Sequence, residues 1–482
     1  MSIPTSPNPN GSPMSDITSN HPAAAPARLL MIVPDVVGAK MAGPGMRYVA
    51  LARALSPYLP VTLAIQGATA PALDFAGLDV RVRTWRDHKD LQKAVDECDV
   101  VFCQFFDTNV VRYALRARKR VVYDLYNALP IETIGAERIS GHSDEEGKDR
   151  EYAELLRYFR FASEAGSYFV TSNERQRDWW LGYIMASGGV MPSTLRERRA
   201  EDIVGLAPFG MSDTEPVQRR HALRGSHGIT DDDFVMIWAG GIWDWFDALT
   251  PIRAVAALAQ QDPRIKLVFY GTVHPNSTIG KPPAVDRAES LAESLGVLGT
   301  SVIFLHDWVP ADERADYLLD ADIALSAHKQ SLETHYAFRT RVLDHFWARL
   351  PSLVSSGDWF AEYIDTQGLG LVTPPGDVDA MAAAITTLST DAGLRARMVE
   401  SIEAVRGDWH WSATSRQLRE HLTVSLDRLE FRAEPSVGES TSRERLGTGA
   451  FSGWELARGL LGRLGRRLGA DRLARVVRSR RP

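Results

Sequence analysis

Residues 234–249 read FVMIWAGGIWDWFDAL. The run 234–239 is apolar throughout and short enough for a buried strand, and the glycine pair Gly240-Gly241 ends it before a helix begins near residue 250. A glycine turn between a buried strand and a helix usually prepares a place for phosphate, because helix N-termini present unpaired N–H groups and partial positive charge. This turn instead carries two indoles, Trp243 and Trp245, and two carboxylates, Asp244 and Asp247, with no arginine or lysine.

The same strand–turn–helix unit repeats on both sides. Downstream, IKLVFYG (265–271), SVIFL (301–305), DIALSA (322–327) and PSLVSS (351–356) read as strands. Helices are expected over 250–260, near 284–295, over 311–320, from about 337 to 349 and over 377–389. Upstream, RLLMIVP (28–34), VTLAI (61–65), DVVFCQ (99–104), RVVYDLY (120–126), SYFVTSN (167–173) and IVGLAPFG (203–210) form a second alternating series. Strand–helix alternation implies parallel pairing with helices on both faces. The expected fold is α/β: two facing Rossmann-like, doubly wound domains. Ligands bind outside the carboxyl ends of such strands, which puts the deep site in the cleft between the two. The expected boundaries are a disordered leader over 1–26, a first domain over 27–210 and a hinge-like linker over 211–230. A second domain over 231–425, a flexible linker over 432–450 and a basic tail over 451–482 follow.

The totals agree with this division. A chain of 482 residues is too long for one small core, and 44% hydrophobic with 24% charged residues is ordinary for a folded globular protein. The two cysteines, Cys98 and Cys103, lie in or beside an apolar run and form no metal-ligand or disulfide pattern, which suits a reducing cytoplasm. From Phe451 onward nine arginines stand against Glu455 and Asp471, so the tail carries +7 and the remainder −13 of the net −6. An acidic body argues against nucleic acid as a partner. The tail places apolar residues at helical spacing opposite its arginines, a pattern that suits an anionic membrane surface. That makes the inner face of the plasma membrane a peripheral location for a cytoplasmic protein.

Two facing Rossmann-like halves suit the GT-B architecture of glycosyltransferases, and particular blocks sharpen the likeness. GPGMR (43–47), YDLYNALPIE (123–132), SNERQRDWWLG (172–182), GGIWDWFD (240–247), HPN (274–276) and FRTRVLD (338–344) resemble a subgroup of bacterial family 4 (group 1) retaining glycosyltransferases. The run from Asp344 to Pro351 resembles the second half of that family's donor signature, with aspartate where glutamate is usual. Eight residues earlier the family has another acid and this chain has Tyr336; Glu333 is the nearest substitute. The family also carries an arginine and a lysine in the turn after the first donor-domain strand, near the positions of Gly241 and Trp245 here. Charge for a leaving diphosphate must therefore come from elsewhere.

The resemblance implies transfer of a sugar from a nucleotide-diphosphate donor to a saccharide or lipid-linked acceptor, with retention, in cell-surface glycan or glycoconjugate biosynthesis. It implies no cofactor and no metal. Arg339 and Arg341 are the expected diphosphate cations, with Glu333 and Asp124 as further catalytic candidates. The bland alternative is that the arginines pair with Glu333 and Asp344. Gly240, Gly241, Trp243, Asp244, His274, Thr340 and Asp344 are expected at the donor, Asp344 because two acceptor oxygens suit two ribose hydroxyls. Gly43, Gly45, Arg47 and Asn127 are expected at the acceptor or an anion. Glu132 and Glu174 are weaker candidates, and Glu174 reads equally well as a helix cap. Asp231-Asp232-Asp233 precedes a strand at its amino end and reads as a turn. Two other readings stay open: a non-catalytic GT-B-fold scaffold, and a nucleotide-sugar epimerase.

Overall fold

The computed structural model describes residues 26–435, apart from 39–40, 42, 105–107, 135–138, 140–143, 196 and 274–279. The first half holds seven strands: β1 (Leu29–Ile32), β2 (Val61–Gln66), β3 (Val80–Trp85), β4 (Val100–Cys103), β5 (Arg120–Asp124), β6 (Tyr168–Thr171) and β7 (Val204–Leu206). They pair in the order β3-β2-β1-β4-β5-β6-β7, every pair parallel. The second half holds β8 (Phe234–Ala239), β9 (Ile265–Tyr270), β10 (Val302–Leu305), β11 (Ile323–Ser326), β12 (Ser352–Ser355) and β13 (Gly370–Thr373), ordered β10-β9-β8-β11-β12-β13 and again all parallel. Strand order reverses between β1 and β4 and between β8 and β11, so each sheet has a switch point beside its first strand. The fold is two-domain α/β of the GT-B kind.

Two strands escape the periodicity argument. β3 reads VRVRTW, and its alternating arginines mark a half-exposed edge strand, not a buried run. β13 reads GLVT and is short; Gly370 is required there because a Cβ would meet the Ser352 carbonyl oxygen at 1.9 Å. The helix expected from about 337 to 349 is shorter, running Val342–Trp347; an unexpected short helix, Leu332–Tyr336, precedes it, with Ala337 extended after it.

The expected linker is mostly part of the second half. Asp320 accepts from the backbone N–H of Leu223 at 2.7 Å and of Arg224 at 3.2 Å, and from Gln218 Nε2 at 2.6 Å. Leu223 and Ile229 lie in that half's core. Any hinge is thereby confined to the residues just before 216. The expected second-domain boundary at 425 is also displaced, because the chain crosses back near Trp409–Trp411. Leu418, Leu422 and Leu429 join the first half's core, and Gln417 Oε1 accepts from Leu206 N–H at 2.6 Å. The two crossings touch: Met211 N–H donates to Trp409 O at 2.7 Å, and Trp411 N–H to Met211 O at 3.1 Å. Gly210 makes this possible, since a Cβ there would lie 2.8 Å from Trp411 backbone atoms.

Among the described residues no helix is long and apolar enough to cross a membrane. The tail over 451–482 and most of the linker over 432–450 lie outside the described residues.

Candidate active site

Between the halves lies a cavity of about 1500 Å³. Its walls are the loops at the carboxyl ends of β5, β8 and β11 and the helix Gly43–Leu55. On one flank the halves are clasped. Gln176 Nε2 donates to Tyr336 O at 2.7 Å, Arg175 Nη1 to His335 O at 3.2 Å, and Trp359 Nε1 to Glu174 Oε2 at 3.1 Å; Arg175 also pairs with Glu362. The helix start in this clasp is capped by Asn173, whose side chain accepts from Gln176 N–H, so Glu174 is not the cap.

The turn after β8 is held by the chain that follows β11. Asp247 N–H donates to Ala327 O at 3.0 Å, Lys329 N–H to Trp245 O at 3.1 Å, and Phe246 and His328 are bridged antiparallel. Gly240 takes φ +95° to leave the strand. Trp243 and Trp245 stack with centroids 5.9 Å apart at 23°, and both line the cavity, as do Gly240 and Asp244. Gly241 is not a lining residue; its carbonyl receives Arg341 Nη2 at 2.8 Å. The Asp244 carboxylate is already paired with Arg287. His274 lies outside the described residues.

Arg339, Thr340, Arg341, Asp344 and Glu333 all line the cavity. Their connections differ from one another. Arg339 is gripped bidentately by Glu333, at 3.0 and 2.7 Å, which is the bland alternative entertained above. Arg341 lies over the Phe246 ring, 3.9 Å from its centroid. Burial, and next the charge of Arg339, bring Arg341 down to about 9, where it is still a cation at neutral pH. Asp344 is paired with Arg314 and not with Arg341, at 3.1 Å. Burial pushes the Asp344 carboxyl up, and the Arg314 charge opposes this.

Three first-half expectations are corrected. Arg47 and Asp124 have side chains 0% exposed and pair with each other, Nε to Oδ2 at 2.9 Å and Nη2 to Oδ1 at 2.8 Å. Arg47 also donates to Ala207 O at 2.7 Å. Neither lines the cleft, because a buried charge is retained only with its counter-charge against it. Gly45 does allow a close approach, but to the chain itself: a Cβ would meet Val36 O at 2.6 Å. Gly43 and Asn127 do line the cleft.

Sequence reasoning undervalued Glu132 and missed Lys329 and Arg314. Glu132 lies in the helix Leu129–Ile134, which packs against Leu332–Tyr336 of the other half. Asn127 Nδ2 donates to it at 2.9 Å. Burial, with Glu333 facing it, pushes the Glu132 carboxyl up to about 7, against the pull of Asn127 and Arg339. Lys329 had a legible signal: it is a cation three residues beyond the carboxyl end of β11. Arg314 had none, being one charge in the acidic run ADERADY. Among the described residues no group of three His, Cys, Asp or Glu side chains can hold a metal ion. Asp233 caps its own turn by accepting from Thr230 N–H at 2.6 Å.

Residues 220–405 match the family model described as glycosyl transferases group 1. The matched stretch lies in the second half and spans β8 to β13. Solved structures resembling the whole two-domain chain include Anabaena Alr3699/HepE in complex with UDP and glucose, at 16% identity and TM-score 0.57 over 82% of this chain and 99% of that one. The α,α-trehalose 6-phosphate synthase of Burkholderia multivorans follows at 13% identity and TM-score 0.56, over 83% and 99%. WaaG, a glycosyltransferase involved in lipopolysaccharide biosynthesis, has 15% identity and TM-score 0.54 over 82% and 99%. At such identities the likeness establishes the fold. No curated protein sequence matches the chain. The second half, which carries the group 1 match, contributes the turn after β8, the stacked tryptophans and the basic wall; the first half contributes Asn127 and Glu132.

Proposed function

We propose that the chain is a metal-independent, family 4 glycosyltransferase that moves a sugar, with retention, from a nucleotide-diphosphate donor to a saccharide or lipid-linked acceptor. The supporting observation is the cleft itself: a wall of arginines and tryptophans at the switch point of the transferase domain faces a carboxyl-bearing wall of the other half. In this reading the donor lies along the second half, with Trp243 and Trp245 flanking it and Asp344 taking ribose hydroxyls. Glu333 and Arg339 stand at the sugar, and Asn127 and Glu132 approach from the acceptor side. Catalysis rests on preorganised positive charge for the leaving diphosphate.

The test is release of nucleoside diphosphate from UDP-, GDP- and ADP-sugars without acceptor. UDP-glucose comes first, because HepE was solved with UDP and glucose. Slow release from one donor class is expected; no release and no thermal shift with any diphosphate would leave a scaffold. The product's anomeric configuration by NMR tests retention. A peripheral place in cell-surface glycan synthesis rests on the basic tail. Sedimentation with anionic vesicles should lose the chain when it is cut after Pro435, not nearer 430, because Arg432 donates to Gly166 O and Glu434 pairs with Arg112.

A further inference from the structure

A departing diphosphate needs positive charge near the carboxyl end of β8, and residues 240–248 contain none. Among the described residues, four arginine and lysine side chains of the second half line the cleft: Arg314, Lys329, Arg339 and Arg341. Two are already matched by carboxylates, Arg339 by Glu333 and Arg314 by Asp344. The other two meet carbonyl oxygens and no carboxylate within ion-pair distance among the described residues. Arg341 Nη2 donates to Gly241 O, and its buried Nη1 has no acceptor. Lys329 is exposed, and its Nζ donates to Asp244 O at 2.7 Å. A carbonyl dipole holds an ammonium without cancelling its charge, so the uncompensated positive potential of this wall belongs to Lys329 and Arg341.

The backbone makes that placement firm. The three contacts lacing residues 327–329 to residues 245–247 carry the lysine across the point where strand order reverses. The neighbouring strand delivers what the turn lacks.

We propose that Lys329 is a catalytic residue that, with Arg341, binds the terminal phosphate of the nucleoside diphosphate leaving group. This rests on the glycosyl-transfer reading above. The bond from the anomeric carbon to the diphosphate oxygen breaks with its electron pair leaving on that oxygen. The acceptor hydroxyl oxygen bonds to the anomeric carbon, and its proton passes to the released diphosphate. Lys329 meets charge that grows along this path, so its contact strengthens toward the transition state.

Calorimetric titration of the full chain with each nucleoside diphosphate and its monophosphate tests the assignment. The native protein should prefer the diphosphate. Lys329→Ala should lose that preference by about ten- to a hundred-fold, the worth of one charge-assisted hydrogen bond, with monophosphate affinity and melting temperature unchanged. Lys329→Arg should restore most of it. In donor hydrolysis kcat should fall more than KM rises. A Lys329→Ala protein that keeps the native preference for diphosphate overturns the assignment while leaving the transferase reading intact. A native protein that binds no diphosphate overturns both.

Discussion

Arg47 and Arg341 make similar claims in one dimension and opposite ones in three. Each stands at the start of a helix that follows a buried strand, and each has a buried Nη1 without an acceptor among the described residues. Arg47 has Asp124 against it and is sealed beneath the cleft floor. Arg341 has a carbonyl against it and lines the cleft. What separates a structural arginine from one available to a ligand is the nearest carboxylate. By the same rule Arg339, bound by Glu333, is a positioning group more than a free charge, a role its place beside the cleft did not reveal.

The largest expected effect breaks the sealed pair. Asp124→Ala leaves Arg47 charged and buried, and denaturant unfolding should show a loss of about 3–5 kcal/mol. Replacing Arg47 and Asp124 together with apolar residues of similar volume should recover much of it. No recovery would mean that the pair has a role beyond mutual neutralisation.

Next comes the cleft arginine. Arg341→Ala should lower turnover by roughly two to three orders of magnitude, as for loss of one preorganised transition-state donor, with donor affinity falling less. Steady-state kinetics on folded protein decides this. Near-native turnover would make Arg341 a second structural arginine and erase the contrast.

Glu132 sharpens the comparison across the interface. Its folded value of about 7 lies above the ordinary 4.5, so the folded state holds the proton more tightly than the unfolded chain. The favourable contribution is complete below about pH 4.5 and is lost as pH rises through about 7. Stability of the native protein relative to Glu132→Gln should therefore fall by roughly 1–3 kcal/mol across that window and stay flat above it. A difference independent of pH would place Glu132 in water, away from Glu333.

The smallest effect is expected at the surface. Arg28 and Asp99 pair at 2.9 Å with side chains 54% and 39% exposed, and Arg28→Ala should change stability by less than about 1 kcal/mol.

Most of the architecture was legible in the chain because its signals are local. An apolar run of four to six residues, a glycine and an amphipathic stretch identify strand, turn and helix without reference to anything distant. The parts that were not legible violate that locality: β3 hides under alternating arginines, and residues 218–224 look like a linker until Asp320, about a hundred residues on, accepts their N–H groups.

The site divides along the same line. The sequence by itself determined which residues stand at strand ends and which at the helix start after β11, and hence that Gly240, Trp243, Arg339, Arg341 and Asp344 would be candidates for one region. Tertiary structure alone decided which charges cancel. Arg47 meets Asp124 over 77 positions, Arg341 meets Gly241 over 100, and Lys329 meets Asp244 over 85. Electrostatic pairing depends on separation in space, which only the folded sheet order sets. A turn without its own cation could therefore be supplied from the next strand, and an arginine beside a cleft could be lost to the core.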